Sequence, residues 1–318
     1  MNNVRFGLIG AAGYVAPRHM RAIKETGNTL CVAYDPNDSV GVIDSFFPKA
    51  DFFTEFERFD RHVDKERRAG RGLDYVSVCS PNYLHDAHTR FSLRSDANAI
   101  CEKPLLLNPW NLDGLEELER DTGRRVYCVL QLRLHPSIIE LKRRVEAEPN
   151  LTFNIDLSYV TSRGNWYLRS WKGDTAKSGG VATNIGVHFF DMLFYVFGQK
   201  KLSIVHLSDE QRCAGYLEFE RARVRWFLSV NEQDLPDDVH AAGQRTYRSI
   251  KMNEQEIEFS SGFTDLHTVT YEKILEGNGF GVSESRPSIE IVSEIRHIKP
   301  VQSADGAHPA ALRHLVRN

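Results

Sequence analysis

The stretch that decides the fold is Val4-Arg5-Phe6-Gly7-Leu8-Ile9-Gly10-Ala11-Ala12-Gly13. An apolar run of strand length passes into glycines, and apolar residues then recur at helical spacing over residues 14–26. A glycine turn between a strand and a helix lets the backbone approach a pyrophosphate, which then lies at the helix N-terminus. The spacing departs from G-x-G-x-x-G, because Ala11 and Ala12 lie where the second glycine is expected. The stretch indicates a nucleotide-binding strand–turn–helix unit.

Short apolar runs and helical patterns alternate up to about residue 130, which predicts βαβ units and a parallel sheet. Beyond residue 135, strand-like stretches follow one another with few helices between them, which predicts hairpins. The tail beyond Pro300, with Ser303-Ala304-Asp305-Gly306, is expected to be loosely held. The fold class is therefore α/β: a Rossmann-type doubly wound parallel sheet over residues 1–130, and an α+β domain with a large mixed or antiparallel open-faced sheet over residues 131–318. The runs behind this prediction are residues 30–34, 74–79, 97–102 and 126–130, then 152–159, 203–207, 214–219 and 224–230.

Asp35 ends the second predicted strand. An acidic residue at this place binds the adenosine ribose hydroxyls and repels a 2′-phosphate. The alternative is an ordinary turn residue before Pro36. Together with the glycine turn, Asp35 favours the functional interpretation, and it favours NAD over NADP.

Composition narrows the classes of function. The 318 residues suit two domains, and the net charge of −3 supplies no general basic field for nucleic acid. No run approaches the roughly 18 apolar residues of a membrane span, and the N-terminal sequence lacks the pattern of a signal peptide. A cytoplasmic protein without membrane or nucleic-acid partners is expected. The five cysteines include no CxxC pair, so reduced buried thiols are favoured over disulfides or a zinc site.

Three further motifs lie after predicted strands or on a predicted helix. They are Ser80-Pro81-Asn82-Tyr83-Leu84-His85, Glu102-Lys103-Pro104, and the stretch Ser178 to Asp191 with its G-x-H-x-x-D pattern. Together with the glycine turn, they resemble the Gfo/Idh/MocA family of NAD(P)-dependent sugar dehydrogenases. Residues 10–19, 130–136 and 166–173 are further similar to the WlbA/WbpB-type subgroup, in which the turn also has the G-A-A-G form.

That resemblance implies an activity and its partners. The subgroup consists of UDP-N-acetyl-2-amino-2-deoxyglucuronate 3-dehydrogenases of bacterial surface-polysaccharide (O-antigen) pathways. They oxidise the C3 hydroxyl of the sugar to a ketone with NAD, and a pathway aminotransferase acts on the product. Some members reoxidise bound NADH by reducing 2-oxoglutarate. The resemblance also implies a homotetramer.

The resemblance further implies the roles of individual residues. Alcohol oxidation needs a base and a cation near the oxygen, and the family pattern assigns these roles to His188 and Lys103. Whether Lys103 shares the proton transfer with His188 stays open on the sequence. Asn184 stands where many members have aspartate, so it can orient groups but cannot carry charge. The other residues implied for cofactor binding are Gly10, Ala12, Gly13, Tyr14, Val15, Asp35, Ser80, Asn82, His85, Glu102 and Gln131, with Lys103 shared. Those implied for the substrate are Arg133, Arg163, Tyr167 and Asn184, again with Lys103 and His188.

Some alternatives remain open on the sequence alone. Asp191 either orients the site or is a helix-surface carboxylate. His85 and His88 have the spacing of a metal pair, but no third ligand is evident and no metal is expected. The same fold would serve a dehydrogenase of another sugar or of inositol. It would also serve a catalytically inactive NAD-binding regulator, although the presence of Lys103 and His188 counts against that.

Overall fold

The computed structural model describes residues 3–253, 255–257 and 266–315, which divide into two compact units. The first unit contains residues 3–131 and also residues 266–286. The second contains residues 132–257 and 287–315, apart from residue 254. The sequence suggested one boundary near residue 130 and did not anticipate that a later segment returns to the first unit.

The described residues form twelve strands in two sheets. Most strands carry β-branched or aromatic residues that suit a buried pleated surface. In chain order they are β1 (Arg5–Ile9), β2 (Thr29–Tyr34), β3 (Asp51–Phe53), β4 (Tyr75–Val78), β5 (Asn98–Cys101), β6 (Val126–Cys128), β7 (Phe153–Thr161), β8 (Lys200–Ser208), β9 (Arg212–Phe219), β10 (Ala222–Ser229), β11 (Thr246–Met252) and β12 (Gln255–Glu256).

Twelve α-helices accompany these strands in the described part of the chain. A π-helical turn, Ala182–Gly186, directly precedes one of them. In chain order the helices are α1 (Ala16–Glu25), α2 (Phe56–Arg68), α3 (His85–Arg94), α4 (Trp110–Thr122), α5 (Pro136–Ala147), α6 (Trp166–Arg169), α7 (Thr175–Ser178), α8 (Val187–Phe197), α9 (Asp237–Ala241), α10 (Leu266–Leu275), α11 (Val282–His297) and α12 (Pro309–Leu315).

The sheet of the first unit is parallel throughout, with the order β3-β2-β1-β4-β5-β6. This is the Rossmann order, in which the direction of winding reverses between β1 and β4. Phe6 of β1 stacks on Tyr75 at a ring-centroid distance of 5.3 Å and on Tyr271 of α10 at 5.8 Å. The returning segment therefore supplies part of the core of the first unit, and the predicted doubly wound sheet is confirmed.

The sheet of the second unit is mixed, with the order β12-β11-β7-β10-β9-β8. Only β7 and β10 pair in parallel; the other neighbours are antiparallel. The helix α8 is apolar almost all round and lies in the core, where Phe190 meets the fully buried Trp226 edge to face at 5.2 Å. The predicted mixed sheet is confirmed.

The sequence predicted no run apolar enough to span a membrane, but one helical run in the structure reaches that length and hydropathy. Thr175–Phe197 has a mean hydropathy of 1.3, enough by length and composition to cross a membrane. Our count of consecutive apolar residues missed it, because Asn184, His188 and Asp191 interrupt the run. However, 72% of the apolar window is buried inside the protein, and Phe189, Phe190 and Leu193 belong to the core of the second unit. The run is a core helix by its packing.

The expectation of a loosely held tail was wrong for residues 307–315, whereas residues 301–306 are exposed. The Val301 amide donates to the Val205 carbonyl at 2.8 Å, and Ala311 of α12 is fully buried. Arg313 and His314 each contact the buried Asp234 carboxylate at 3.1 Å. Residues 307–315 are therefore held by a buried small residue, by the Arg313–Asp234 ion pair and by the hydrogen bond between His314 and Asp234.

Candidate active site

The glycine turn after β1 requires glycine for steric reasons. Gly10 has φ +91°, and a Cβ at this position would lie 2.6 Å from the Cys79 carbonyl carbon. Its amide donates to the Tyr34 carbonyl at 2.8 Å, which ties the turn to the end of β2. The helix α1 follows, and its N-cap residue Val15 provides no side-chain cap. Such a turn before an uncapped helix suits a phosphate group.

Asp35 connects the turn to the strand that follows α1. Its carboxylate accepts the Ala12 amide at 3.0 Å with one oxygen and the Asn37 amide at 2.9 Å with the other. A carboxylate has about four acceptor sites, so two amides leave capacity for ribose hydroxyls. The geometry suits the predicted ribose contact, and the role itself stays a prediction.

Ser80 and Asn82 lie in the loop between β4 and α3, and His85 and His88 lie in the first turns of α3; all four are buried. The ring nitrogens of His85 lie 2.7 Å from the Pro104 carbonyl and 2.8 Å from the Ser80 carbonyl. His85 therefore joins this loop to the E-K-P loop after β5. His88 Nδ1 lies 2.8 Å from Ser80 Oγ, and burial lowers the pKa of His88 to about 4. The neutral form of His88 is thus the one present near pH 7.

Glu102 of the E-K-P loop is buried and bonded within the first unit. Its Oε1 lies 3.0 Å from His19 Nε2 and 3.0 Å from His267 Nε2, and its Oε2 accepts the Lys103 amide at 3.2 Å. Burial alone would raise the pKa of Glu102, but the hydrogen bonds from the two histidines outweigh it and hold the pKa well below its usual value. Glu102 is an ionised anchor, and Lys103 beside it is half-buried.

Gln131, at the end of the first unit's main segment, has an unsatisfied polar atom. Its Oε1 is buried and has no hydrogen-bond partner among the described residues. Buried side-chain oxygens of this kind nearly always have a donor in the functional protein. The atom fits a bound group that donates a hydrogen bond, as the sequence predicted for Gln131.

In the second unit, the candidate residues lie around the start of α8. Asn184, in the π-helical turn, donates from Nδ2 to the Tyr167 hydroxyl at 2.6 Å. His188 follows one turn later and is half-buried. π-helical turns within helices are frequent at functional sites. Asn184 thus orients Tyr167, which is consistent with a positioning role without charge.

Arg133 and Asp191 form a buried ion pair in the same unit. The guanidinium donates to the two carboxylate oxygens at 2.9 and 2.7 Å. Asp191 is 1% exposed, so it is not a helix-surface carboxylate. The predicted substrate contact of Arg133 remains a prediction, because much of its donor capacity already serves Asp191.

The segment that runs from Arg163 into α6 presents both polar and aromatic groups. Arg163 and Trp166 are exposed, whereas Tyr167 is buried. An exposed guanidinium can meet a carboxylate or phosphate without losing an existing buried partner. In the first unit, Tyr14 is 89% exposed at the start of the region leading into α1.

Sequence reasoning missed the partners of Glu102. His19, His267, Tyr271 and Ser77 form a buried network with it, and His267 and Tyr271 come from the returning segment. No short motif marks these residues, because the His267–Glu102 contact joins positions 165 residues apart. His19, Glu102 and His267 also place three metal-ligating atoms within 4.8 Å of one another, a cluster different from the His85–His88 pair that we considered.

The fold and the turn define an NAD-binding oxidoreductase. The model of the oxidoreductase family's NAD-binding Rossmann fold matches residues 4–129, and the model of its C-terminal alpha/beta domain matches residues 151–235. The chain belongs to the Gfo/Idh/MocA oxidoreductase family. The tight Gly10 turn, the Asp35 carboxylate and the unpartnered Gln131 oxygen fit NAD as the cofactor.

Among solved structures, the WlbA (WbpB) dehydrogenase of Thermus thermophilus is similar along its whole length. Its complex with NAD and alpha-ketoglutarate is 51% identical, covers 96% of this chain and 99% of the other, and has a TM-score of 0.93. Its complex with NAD and UDP-GlcNAcA is 50% identical, with the same coverage and TM-score. The identity is high enough to compare function as well as fold.

A curated relative gives a more distant comparison. The glucose-6-phosphate 3-dehydrogenase of Bacillus subtilis is 27% identical over 209 residues, which is 61% of this chain and 53% of the relative. The chain thus spans little more than half the length of the first curated relatives it matches, 53% and 57%.

Proposed function

We propose that this protein oxidises the C3 hydroxyl of UDP-N-acetyl-2-amino-2-deoxyglucuronate to the 3-keto sugar with NAD. The observation that carries the proposal is the 50% identity, over 99% of its length, to the Thermus enzyme whose structure contains NAD and UDP-GlcNAcA. A cytoplasmic role in bacterial surface-polysaccharide (O-antigen) biosynthesis follows from that substrate.

When bound, NAD would supply the acceptor for the hydride that leaves C3. The glycine turn gives the pyrophosphate access to the backbone before α1, while Asp35 accepts hydrogen bonds from the adenosine ribose. The loop after β4 and the E-K-P loop are fastened to each other by His85, so they form one preorganised surface. The residues proposed to contact NAD are Gly10, Ala12, Gly13, Tyr14, Val15, Asp35, Ser80, Asn82, His85, Glu102, Lys103 and Gln131.

His188 and Lys103 are the proposed catalytic residues. His188 takes the proton of the C3 hydroxyl, because a neutral imidazole accepts a proton near pH 7. The Lys103 ammonium stabilises the negative charge that develops on the oxygen. Asn184 cannot relay a proton, and its bond to Tyr167 supports an orienting role for both residues.

Substrate recognition needs groups for a diphosphate and a carboxylate. Arg163 is exposed and is the proposed direct partner of an anionic group, since planar guanidinium pairs well with both. Arg133, Tyr167 and Asn184 complete the proposed set. With a net charge of −3, the chain supplies no general attraction for an acidic substrate. These local groups must therefore provide it.

The remaining partners are part of the same proposal. The Thermus structure with alpha-ketoglutarate supports 2-oxoglutarate as the acceptor that regenerates NAD. A homotetramer and a following aminotransferase are proposed from the family resemblance.

A substrate screen tests the proposal. NADH formation is followed by absorbance with UDP-N-acetylglucosaminuronate, UDP-N-acetylglucosamine, glucose 6-phosphate and inositol, each with and without 2-oxoglutarate. Among the four sugars, we expect turnover only with the uronate. Free UDP should inhibit this reaction, and 2-oxoglutarate should increase the number of turnovers per cofactor. Turnover with inositol or glucose 6-phosphate but not with the uronate would replace the proposed substrate. The 27% identity to a glucose-6-phosphate 3-dehydrogenase makes that the second candidate.

NAD binding without turnover of any of these compounds would instead indicate an inactive regulator. Equilibrium binding of NAD to the purified protein separates that outcome from a failure to bind the cofactor.

A further inference from the structure

Four buried side chains of the first unit converge on the Glu102 carboxylate, directly or through one another. His19 and His267 reach its Oε1, each at 3.0 Å, and Tyr271 lies 2.7 Å from His19 Nδ1. Ser77 Oγ in turn lies 2.6 Å from the Tyr271 hydroxyl. All these residues are at most 7% exposed, so each polar atom must be satisfied inside the protein.

The chemistry of the groups fixes the direction of the hydrogen bonds. An ionised carboxylate only accepts, so His19 and His267 must each carry a proton on Nε2. Neutral His19 then has a bare Nδ1, which accepts from the Tyr271 hydroxyl, and the Tyr271 oxygen accepts from Ser77. Burial lowers the pKa of His19 and raises that of Tyr271 far above its usual value, which keeps both in these neutral forms. Every hydrogen bond in the network thus points towards Glu102.

The network acts on the backbone that carries Lys103. Glu102 Oε2 accepts the Lys103 amide at 3.2 Å, and His85 lies 2.7 Å from the carbonyl of Pro104, the residue after Lys103. The chain is therefore fastened on both sides of Lys103. The hydrogen bond from the Lys103 amide to Glu102 depends on α1 through His19 and on α10 through His267.

We propose that His267 and His19 are positioning residues that hold Glu102, and through it the Lys103 backbone, in place for the reaction. The inference rests on the proposed function, in which the Lys103 ammonium stabilises the reacting oxygen. It assigns a role in that reaction to the returning segment, residues 266–286, which lies outside both matched family models. A preorganised group loses catalytic effect when it shifts by as little as about 1 Å.

Three variants test the proposal. His267→Leu removes the donor at similar volume, His267→Gln keeps a donor near the Nε2 position, and Thr270→Val is the matched control. Thr270 lies on the same helix and is equally buried, but its hydroxyl bonds to the Leu266 carbonyl of its own helix. We expect His267→Leu to lower kcat about 10- to 100-fold with KM for NAD changed less than about threefold. His267→Gln should recover most of kcat, and Thr270→Val should leave it near the wild-type value.

Hydrogen exchange of the Lys103 amide gives a readout that needs neither substrate nor turnover. It should become at least about tenfold faster in His267→Leu than in Thr270→Val, because the acceptor Glu102 is no longer held. If the Lys103 amide exchanges faster in His267→Leu but the wild-type protein turns over no sugar, the positioning role of His267 stands and the proposed function is refuted. Unchanged exchange of the Lys103 amide in His267→Leu, or an equal loss of kcat in His267→Leu and His267→Gln, would overturn the proposal that His267 positions Glu102.

Metal analysis of the purified protein tests the alternative that His19, Glu102 and His267 bind a metal ion. The same three ligating atoms would suit a divalent cation if the histidines gave up their Nε2 protons. We expect no stoichiometric metal and no effect of a chelator on Lys103 amide exchange. One equivalent of tightly bound zinc would overturn the hydrogen-bonded anchor in favour of a metal site.

Discussion

The Arg133 guanidinium donates hydrogen bonds to both oxygens of the Asp191 carboxylate, at 2.7 and 2.9 Å, and neither side chain is more than 5% exposed. Asp191 lies one helical turn after His188 on α8, and Arg133 lies just before α5. The pair therefore fixes the first turns of α8, which carry a proposed catalytic residue. Buried pairs of this kind give little net stability but are costly to break.

Asp191→Asn should consequently destabilise the second unit by about 3–5 kcal/mol, because it removes the counter-charge that Asp191 gives the buried Arg133 guanidinium. Urea unfolding measures the loss. The double variant Arg133→Met/Asp191→Leu should recover most of it, because it removes both charges together. A cost below about 1 kcal/mol for Asp191→Asn would contradict the view of a dry, coupled pair.

Lys103→Ala and His188→Asn should each lower kcat by about 100-fold or more while NAD still binds. The reason is that each variant removes one group proposed to act on the reacting hydroxyl. Stopped-flow absorbance and equilibrium NAD binding measure the two properties separately. The matched control His240→Asn changes an exposed histidine of the second unit and should be silent. Near wild-type activity in both variants would reject this catalytic pair.

Asp35→Ala should weaken NAD binding by about tenfold and reduce the preference for NAD over NADP. The variant removes both the proposed ribose acceptor and the carboxylate that holds the Ala12 amide. Asp35→Asn keeps an acceptor for that amide without the charge, so it separates the two effects. If the ratio of NADP to NAD affinity stays constant in both variants, Asp35 does not discriminate between the cofactors.

Gly10→Ala should abolish NAD binding and destabilise the first unit by about 3–5 kcal/mol, since it combines a positive φ with a backbone clash. Gly27 is the matched control: it also has a positive φ, +75°, but a Cβ there would meet nothing within 4 Å. Gly27→Ala should cost only about 1–2 kcal/mol and leave NAD binding intact. Thermal unfolding and NAD titration measure the difference, and equal effects would show that the clash is relieved.

Acid should destabilise the first unit through His88. Its pKa is about 4 in the folded protein against the ordinary histidine value of 6.5, because burial disfavours the charged form, so folding favours the neutral form. This contribution to stability is complete above pH 6.5 and is lost as the pH falls from 6.5 towards 4. At pH 5 the loss is on the order of 2 kcal/mol.

His88→Gln removes the titrating group, so its free energy of unfolding should fall less between pH 7.5 and 5 than that of the wild type. Urea unfolding without cofactor measures both slopes, with His240→Gln as the control. Parallel slopes would mean that His88 is not the group that titrates.

Much of the fold was predictable because its signals are local. The Rossmann sheet follows from short apolar runs that end in motifs, and the glycine turn, the S-P-N loop and the E-K-P loop each lie at the end of a strand. In α2 the pattern failed, because the helix between Phe56 and Arg68 is so rich in charge that only Phe59 and Val63 are buried.

The contacts of the site were less predictable than its residues. Arg133 and Asp191 were both noticed, yet their pairing joins positions 58 residues apart and leaves no periodic signal. His267 and Tyr271 were not predicted, because α10 carries no motif and their roles depend on the distant residues that they contact, Glu102 and His19. Sequence patterns reveal which strand ends carry chemistry, whereas packing decides which distant side chains support them.

The return of residues 266–286 to the first unit has a consequence for synthesis on the ribosome. Tyr271 and Ile274 belong to the same buried cluster as Phe6, Leu8 and Ile23. That cluster cannot be completed until the main segment of the second unit has been translated, because Tyr271 and Ile274 come after that segment in the chain. Domains emerging from the ribosome usually fold in order from the N-terminus. Here the unit that begins first is completed only after the chain of its neighbour has largely emerged, so the neighbour acts as a long insertion that the nascent first unit must tolerate.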